Sequence, residues 1–497
     1  MANQDMVVVA VDQGTSSTKT IVTSTAGDVL ATNTVPLQQT HPFPGWVEQS
    51  PTTILDSVRE GLRWAKETFG DRIGAVGLST QRESAVAWDD ATGEPLSPVL
   101  GWQDRRTTAR ARELHEHSSR IRHISGLPLD PMFSALKFEW ILNDIDPDRS
   151  GARAGRIKVG TVDSWIVRSL TGESRIEIGN ASRTQLLDVS SGQWSADLLA
   201  LFNIPLSALP RLAASDEPTS PVEGEGVTIT AVLGDSHAAL YGHGVRQAGE
   251  VKVTYGTGSS VMGLEAAPRE LSGVVRTIAW QTAGTVSRAF EGNILATGAT
   301  VIWLSRLLGI TPHTVFEEAL SGRSVIDLVP AFSGLGAPWW DEKAVGLIAG
   351  FDLGTAREDL SRAAVESIPL QIEDVLAVTD NATGTIATTV LADGGPSSND
   401  WLMQLQADLS QRTVRRSNVA ELSGLGAAHL AGITAGIWNE ADVAALPRPA
   451  TTFTPQISSE AASQRRSRWL ESVSRARSHV WDSSDRLLAD VHDTQQQ

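Results

Sequence analysis

Val7-Val8-Val9-Ala10-Val11-Asp12-Gln13-Gly14-Thr15-Ser16-Ser17-Thr18-Lys19-Thr20-Ile21-Val22-Thr23 carries the pattern that decides the fold. The unbroken run Val7–Val11 reads as a buried strand, and Thr20–Thr23 resumes an extended pattern. Between them lies a polar turn with one glycine, so the stretch predicts a hairpin. Its hydroxyls and backbone N–H groups suit a terminal phosphate, with Lys19 adding charge. Asp12 offers a carboxylate to Mg2+, through water, because that ion dehydrates reluctantly. An ordinary Ser/Thr-rich hairpin turn has the same composition. The turn is neither a Walker A loop nor a GxGxxG loop.

The pattern returns about 240 residues later, in Glu250-Val251-Lys252-Val253-Thr254-Tyr255-Gly256-Thr257-Gly258-Ser259-Ser260. Two facing hairpins of this kind can clasp one polyphosphate chain. A tight turn needing positive φ at glycine is the plainer reading of the second. A third element, Asp393-Gly394-Gly395-Pro396-Ser397-Ser398-Asn399, follows the strand-like Thr389–Leu391 and precedes a helix from Asp400. Its glycines would let an adenine or ribose approach the backbone; a loop with a Ser or Asn helix cap fits equally.

Elsewhere strands and helices alternate, which predicts an α/β protein with more than one sheet-centred domain. Ser50 and Pro51 read as N-cap and first residue of a helix ending at Gly70. Ile73–Leu78, Lys158–Val162 and Val227–Leu233 read as strands, and His237–Gly242 begins a helix. Two related halves should divide near residue 245: 1–245, 246–445, and a C-terminal piece 446–497 with an amphipathic helix over Arg465–Val491 and a tail from His492.

The chain has 497 residues, 41% of them hydrophobic, and a net charge of −17. That acidity argues against a broad basic surface for nucleic acid but leaves a locally held phosphate allowed. There is no cysteine, which excludes disulfides, thiolate zinc sites and a cysteine nucleophile. Neither a signal peptide nor an apolar run of membrane-spanning length is found, so the expectation is a cytoplasmic protein with no membrane partner.

Six further stretches complete the pattern: Gln81-Arg82-Glu83, Gly101-Trp102-Gln103-Asp104-Arg105-Arg106-Thr107, Gly126-Leu127-Pro128-Leu129-Asp130-Pro131, Asn180-Ala181-Ser182-Arg183-Thr184, Val329-Pro330-Ala331-Phe332 and Gly334-Leu335-Gly336-Ala337-Pro338-Trp339-Trp340. With the three turns, they resemble the FGGY carbohydrate kinases of the actin, Hsp70 and sugar-kinase superfamily, and within them the glycerol kinase branch. The likeness runs from about Val7 to about Trp438, and Met132–Asp144, with Lys137 and Trp140, is close to a family signature.

The resemblance implies two RNase H-like α/β domains flanking a cleft, the first binding polyol or sugar and the second ATP. Asp235 becomes the general base, in place of a simple helix-capping role. Arg82, Glu83 and Trp102 become polyol-binding residues; on structural grounds alone they read as a surface ion pair and a core indole. Met132, Ser236 and Ser260 fall around the substrate. Thr15, Ser16, Ser17, Lys19, Gly256, Thr257, Gly298, Gly395 and Asn399 fall to the nucleotide, and Asp12 to Mg2+. No catalytic histidine is implied at His237, which reads as a helix-surface or polar-core residue. A homodimer or tetramer is implied by the family alone.

Three positions depart from the glycerol kinase pattern: Met132, Ser236 and Ser260 stand where Tyr, Gln and Phe are usual. A pocket losing large side chains gains volume, so a four- or five-carbon polyol or ketose is expected over glycerol, with a true glycerol kinase as the alternative. An actin- or Hsp70-like ATPase is the alternative of another class, though it would not need Gln81-Arg82-Glu83 and Trp102. Ala213–Thr230 holds no Lys or Arg where some relatives bind a sugar bisphosphate, and Ile302 replaces a common glutamine near the adenosine.

Overall fold

In the computed structural model, residues 5–267 and 272–478 are described. The strands that position the site are β1 (Val7–Gln13), β2 (Ser17–Ser24), β3 (Val29–Pro36), β4 (Ile73–Thr80), β5 (Ile229–Gly234), β6 (Glu250–Tyr255), β7 (Ser259–Leu264), β8 (Thr285–Ile294), β9 (Thr389–Asp393), β10 (Thr413–Ser417) and β11 (Ala450–Phe453). The helices are α1 (Pro51–Phe69), α2 (Ser134–Ile145), α3 (Ile178–Ser182), α4 (Asp235–Gly242), α5 (Gly298–Leu308), α6 (Arg357–Thr383), α7 (Asp400–Ser410), α8 (Leu422–Thr434) and α9 (Ser459–Ala476).

The chain forms two compact units. The first comprises the residues up to Arg246 together with Val275–Ala289 and Glu421–Arg448; the second comprises Gln247–Val274, Phe290–Ala420 and the residues from Pro449. The first unit's sheet runs β5-β4-β1-β2-β3. β1 and β2 form the expected antiparallel hairpin, with Asp12 opposite Lys19, while β4 lies parallel to β1 and β5 parallel to β4. The sheet built on β6 repeats the order as β8-β7-β6-β9-β10, with β11 added at one edge; of β8, Phe290–Ile294 fall in the second unit. There β6 is antiparallel to β7 and parallel to β9. Both units are thus α/β, with the strand order of the RNase H-like fold.

β1 is apolar without alternation because both of its faces are covered. Successive residues of β2 point to opposite faces: Thr20 faces Gly61 of α1, and Ile21 faces Gly424 of α8. α1 begins as its sequence predicts, with Ser50 Oγ accepting the Thr53 N–H at 3.2 Å and Gly70 closing it at φ 57°. Val7, Val9 and Val11 pack with Ile54, Val58, Leu62, Val76 and Leu78 in one core. The second unit has its own, around Val251, Val253, Val301, Ile368, Ile372 and Val390.

α4 and α8 meet backbone to backbone. A Cβ on Gly426 would stand 1.8 Å from the Ala238 carbonyl, and one on Gly242 2.3 Å from that of Leu422. Of the expected C-terminal helix, α9 buries Trp469 and Val473; the part beyond residue 478 and the tail lie outside the described residues. No described helix is long and apolar enough to cross a membrane.

Gly426→Ala should therefore lower the unfolding free energy by about 1–3 kcal/mol through overpacking. Gly395→Ala, whose Cβ would meet nothing within 4 Å, should stay within about 0.5 kcal/mol. Urea denaturation of both variants checks the contrast.

Candidate active site

In the first unit, β1, β4 and β5 run parallel, and register brings their C-terminal ends level: Gln13 is opposite Thr80, and Thr80 opposite Gly234. Ligands of parallel α/β sheets gather at such ends. Each strand there hands over to a residue with chemistry. β1 carries Asp12 one residue before its end and leads into the turn Gly14–Ser16, β4 leads into Gln81-Arg82-Glu83, and β5 into Asp235.

Asp12 accepts a hydrogen bond from Ser79 Oγ at 2.8 Å. Desolvation raises its carboxyl to about 6; the Ser79 bond opposes this, the Asp235 charge adds to it and Lys19 counters it. Lys19 reaches Glu421 at 3.4 Å. The turn closes through Gly14 N–H to the Ser17 carbonyl at 2.9 Å. Thr15 Oγ1 accepts the indole N–H of Trp102 at 3.1 Å, so a residue expected at the nucleotide and one expected at the substrate touch each other.

The segment after β4 is tied down at every residue. The Gln81 N–H donates to the Gln13 carbonyl at 2.8 Å, and its amide reaches Gln49 at 3.0 Å. Glu83 takes φ 62°, a left-handed conformation that is costly for a residue with a Cβ. Ser134, first residue of α2, holds it there by donating Oγ to the Glu83 carbonyl at 2.9 Å. Arg82 and Glu83 are both buried rather than a surface pair. Arg82 Nε lies 3.3 Å from Asp235 Oδ1 and 3.9 Å from Glu83 Oε1. The fully buried Arg183 donates Nε to Glu83 Oε1 at 2.5 Å.

Trp102 is 37% exposed, which rules out the core reading. Its loop is fixed from behind by Arg106, which pairs with Glu48 at 2.7 Å and Asp104 at 2.9 Å. The Arg106 guanidinium also stacks 3.7 Å over Trp46. Met132, half-buried, precedes α2, and its carbonyl accepts from Lys137 Nζ at 2.5 Å. Burial lowers the Lys137 ammonium to about 7, against the opposing pull of Glu83, Asp104 and Asp130. Ser236 follows Asp235 in the first turn of α4, its N–H donating to Asp235 Oδ1 at 2.6 Å. His237 is fully buried, which selects the polar-core reading over the surface one.

In the second unit, neither Gly256 nor Gly258 takes a left-handed φ. Close approach demands glycine at Gly258 and Gly298 instead: a Cβ on Gly258 would stand 2.4 Å from the Ile294 carbonyl, and one on Gly298 2.5 Å from that of Gly256. The turn is pinned to the start of α5, Gly298 N–H donating to Gly256 at 3.1 Å and Ala299 N–H to Thr257 at 2.9 Å. Gly394 sits at φ 90° against Tyr255, while Gly395 faces open space. Asn399 caps α7, its Oδ1 accepting from Leu402 N–H at 3.0 Å, so its carbonyl is committed to the helix. Ser260 Oγ donates to the buried Glu291 at 3.1 Å. Ile302 is exposed on α5.

The first unit thus gathers Asp12, Thr15, Lys19, Arg82, Glu83, Trp102 and Asp235, with Met132 and Ser236 on adjoining segments. Gly256, Thr257, Gly298, Gly395, Asn399 and Ser260 belong to the second. Reading the sequence missed Ser79 and gave Arg183 no role, although Arg183 stood inside a quoted motif. A partner for a buried glutamate is visible only once the chain is folded.

This chain matches the N-terminal domain of the FGGY family of carbohydrate kinases over residues 7–242 and the C-terminal domain over residues 251–435. It is 38% identical to a glycerol kinase of Halobacterium salinarum, over 97% of this chain and 100% of that one. It is 39% identical to an apulose kinase of Pectobacterium atrosepticum, over 95% and 98%. The crystal structure of Plasmodium falciparum glycerol kinase with ADP superimposes with a TM-score of 0.89 at 27% identity, covering 95% of this chain and 98% of that one. Motifs, paired sheets and relatives agree: the chain belongs to the FGGY family of carbohydrate kinases and is an ATP-dependent phosphotransferase acting on a hydroxyl of a small polyol or sugar.

Proposed function

We propose that the substrate is a four- or five-carbon polyol or ketose, that Arg82, Glu83 and Trp102 hold it, and that Asp235 is the general base. The observation that carries this reading is the buried Arg82 fork beside Asp235, with Glu83 next to it. A guanidinium and a carboxylate present complementary donors and acceptors to adjacent hydroxyls, and an exposed indole face suits a carbon chain. Asp235 is partly exposed at the head of α4, where its carboxylate can take the proton of an attacking hydroxyl. Arg82 keeps that carboxylate oriented. Met132 and Ser236 place neither an aromatic ring nor a long amide at their own two positions, which favours a substrate longer than glycerol. The apulose kinase relative supports the same reading, and the glycerol kinase relatives support the alternative.

ATP is assigned to Thr15, Ser16, Ser17 and Lys19 for its phosphates, with Gly256, Thr257, Gly298, Gly395 and Asn399 of the second unit. The residues fit Mg2+: Asp12 supplies a hard oxygen donor whose charge burial disfavours and a cation would restore. No cluster of three candidate ligands exists among the described residues, as suits an ion held by one or two carboxylates and substrate phosphates. When bound, Mg2+ neutralises charge on the phosphates.

A kinase assay over glycerol, erythritol, xylitol and xylulose should give glycerol a kcat/KM at least about tenfold below the best substrate, a gap of about 1.4 kcal/mol. Glycerol leading by that margin would overturn the longer-substrate reading. Asp235→Asn should lower kcat by about 10²–10⁴-fold while ADP binding, followed by calorimetry, is kept. Asp12→Asn should raise the Mg2+ concentration for half-maximal rate by about tenfold, a loss of about 1.4 kcal/mol of binding; an unchanged Mg2+ titration would remove Asp12 from the metal site.

A further inference from the structure

His237 lies two residues after the proposed base and has no part in the chemistry described so far. It is fully buried on α4, and its Nε2 stands 3.4 Å from Nη1 of Arg82. Arginine carries donors only, so this contact requires Nε2 to be the acceptor and the ring to be neutral, with its proton on Nδ1. The Nδ1 edge of the ring abuts α3, where a Cβ on Gly179 would lie 3.0 Å from Nδ1 and 2.9 Å from Glu177 Oε2. The imidazole is therefore a wedge between a backbone that admits no side chain and one arm of the Arg82 fork.

The other arm of the geometry explains why a wedge is needed. Asp235 and Glu83 draw Arg82 from its Nε side, at 3.3 and 3.9 Å. The stem of Arg82 is pressed against Gly234, where a Cβ would come within 2.8 Å of its Cγ and Cδ. The guanidinium is planar and rigid, so the contact that His237 makes at Nη1 bears on the plane of the whole fork. We infer that His237 is a positioning residue: it accepts from Arg82 Nη1 and sets the angle at which the guanidinium meets the substrate hydroxyls. It tunes affinity for the carbohydrate through Arg82 without touching either substrate.

This inference rests on Arg82 being a substrate-binding residue, and the test separates the two claims. Steady-state kinetics would compare wild type, Arg82→Ala, His237→Leu, His237→Asn, His237→Gln and the Arg82→Ala/His237→Leu double variant. The probe is whichever of glycerol, erythritol, xylitol and xylulose gives wild type the highest kcat/KM. His237→Leu and His237→Asn should raise the carbohydrate KM by about tenfold with kcat within about threefold and the KM for ATP unmoved. His237→Gln, whose Oε1 reaches the place of Nε2, should keep KM within about threefold. In the Arg82→Ala background His237→Leu should add no further rise, as coupled residues behave in a double-mutant cycle.

If Arg82→Ala raises KM but His237→Leu does not, or if Gln fails where Leu fails, or if the two losses add, the positioning role is overturned. If Arg82→Ala itself leaves KM unchanged, the substrate reading falls and the positioning role with it. Should His237→Leu not fold, judged by thermal unfolding, the contrast between Gln and Asn decides the question alone.

Discussion

Everything that makes the first unit chemically useful follows from the register of three parallel strands. Because β1, β4 and β5 end level, three turns leave the sheet side by side, each about 5 Å from its neighbour. Parallel pairing of β1 with β4 and of β4 with β5 requires the chain between each pair to cross back over the sheet, so that these three strands point the same way. A slip of one residue in β4 would turn Ser79 away from Asp12 and move Arg82 off Asp235 together. The continuous apolar character of Val7–Val11 and the buried β4 resist that slip, since both faces of the sheet are filled.

The strain at Glu83 follows from the same crowding. Its left-handed backbone is maintained by Ser134 on its carbonyl and Arg183 on its carboxylate, two residues far apart in the chain. A buried acid needs such partners, because an unpaired charge away from water is costly. α2 and the Asn180–Thr184 motif can therefore be understood as supports that keep one carboxylate where water would otherwise draw it out.

The architecture was legible in the sequence because the hairpins announce themselves locally: apolar runs, glycine turns and capping residues act over a few positions. Ser50, Pro51 and Gly70 marked α1 at both ends for that reason. The candidate site stands out at residues that interrupt such patterns, Asp12, Arg82, Glu83 and Asp235, while their proposed roles come from family likeness. What escaped was whatever depends on distant segments meeting. Nothing near Arg183 in the chain points to Glu83, and without the family likeness Trp102 reads as a core residue, because its contact with Thr15 joins segments 87 residues apart. The second glycine turn shows the converse. Its composition suggested a left-handed turn, whereas Gly258 lets the backbone of Ile294 come close and Gly298 lets that of Gly256 do so.

The contact between α4 and α8 has a consequence for how this protein comes into being. α8 lies in Glu421–Arg448, which belongs to the first unit although most of the second unit precedes it in the chain. During synthesis, α4 and one face of the first sheet stay uncovered until nearly the whole polypeptide has left the ribosome. The unit that begins first is thus finished last, and the second is nested inside its assembly. The bare, closely fitting glycine surfaces that await α8 make that interval the one in which the nascent chain is most open to wrong partners.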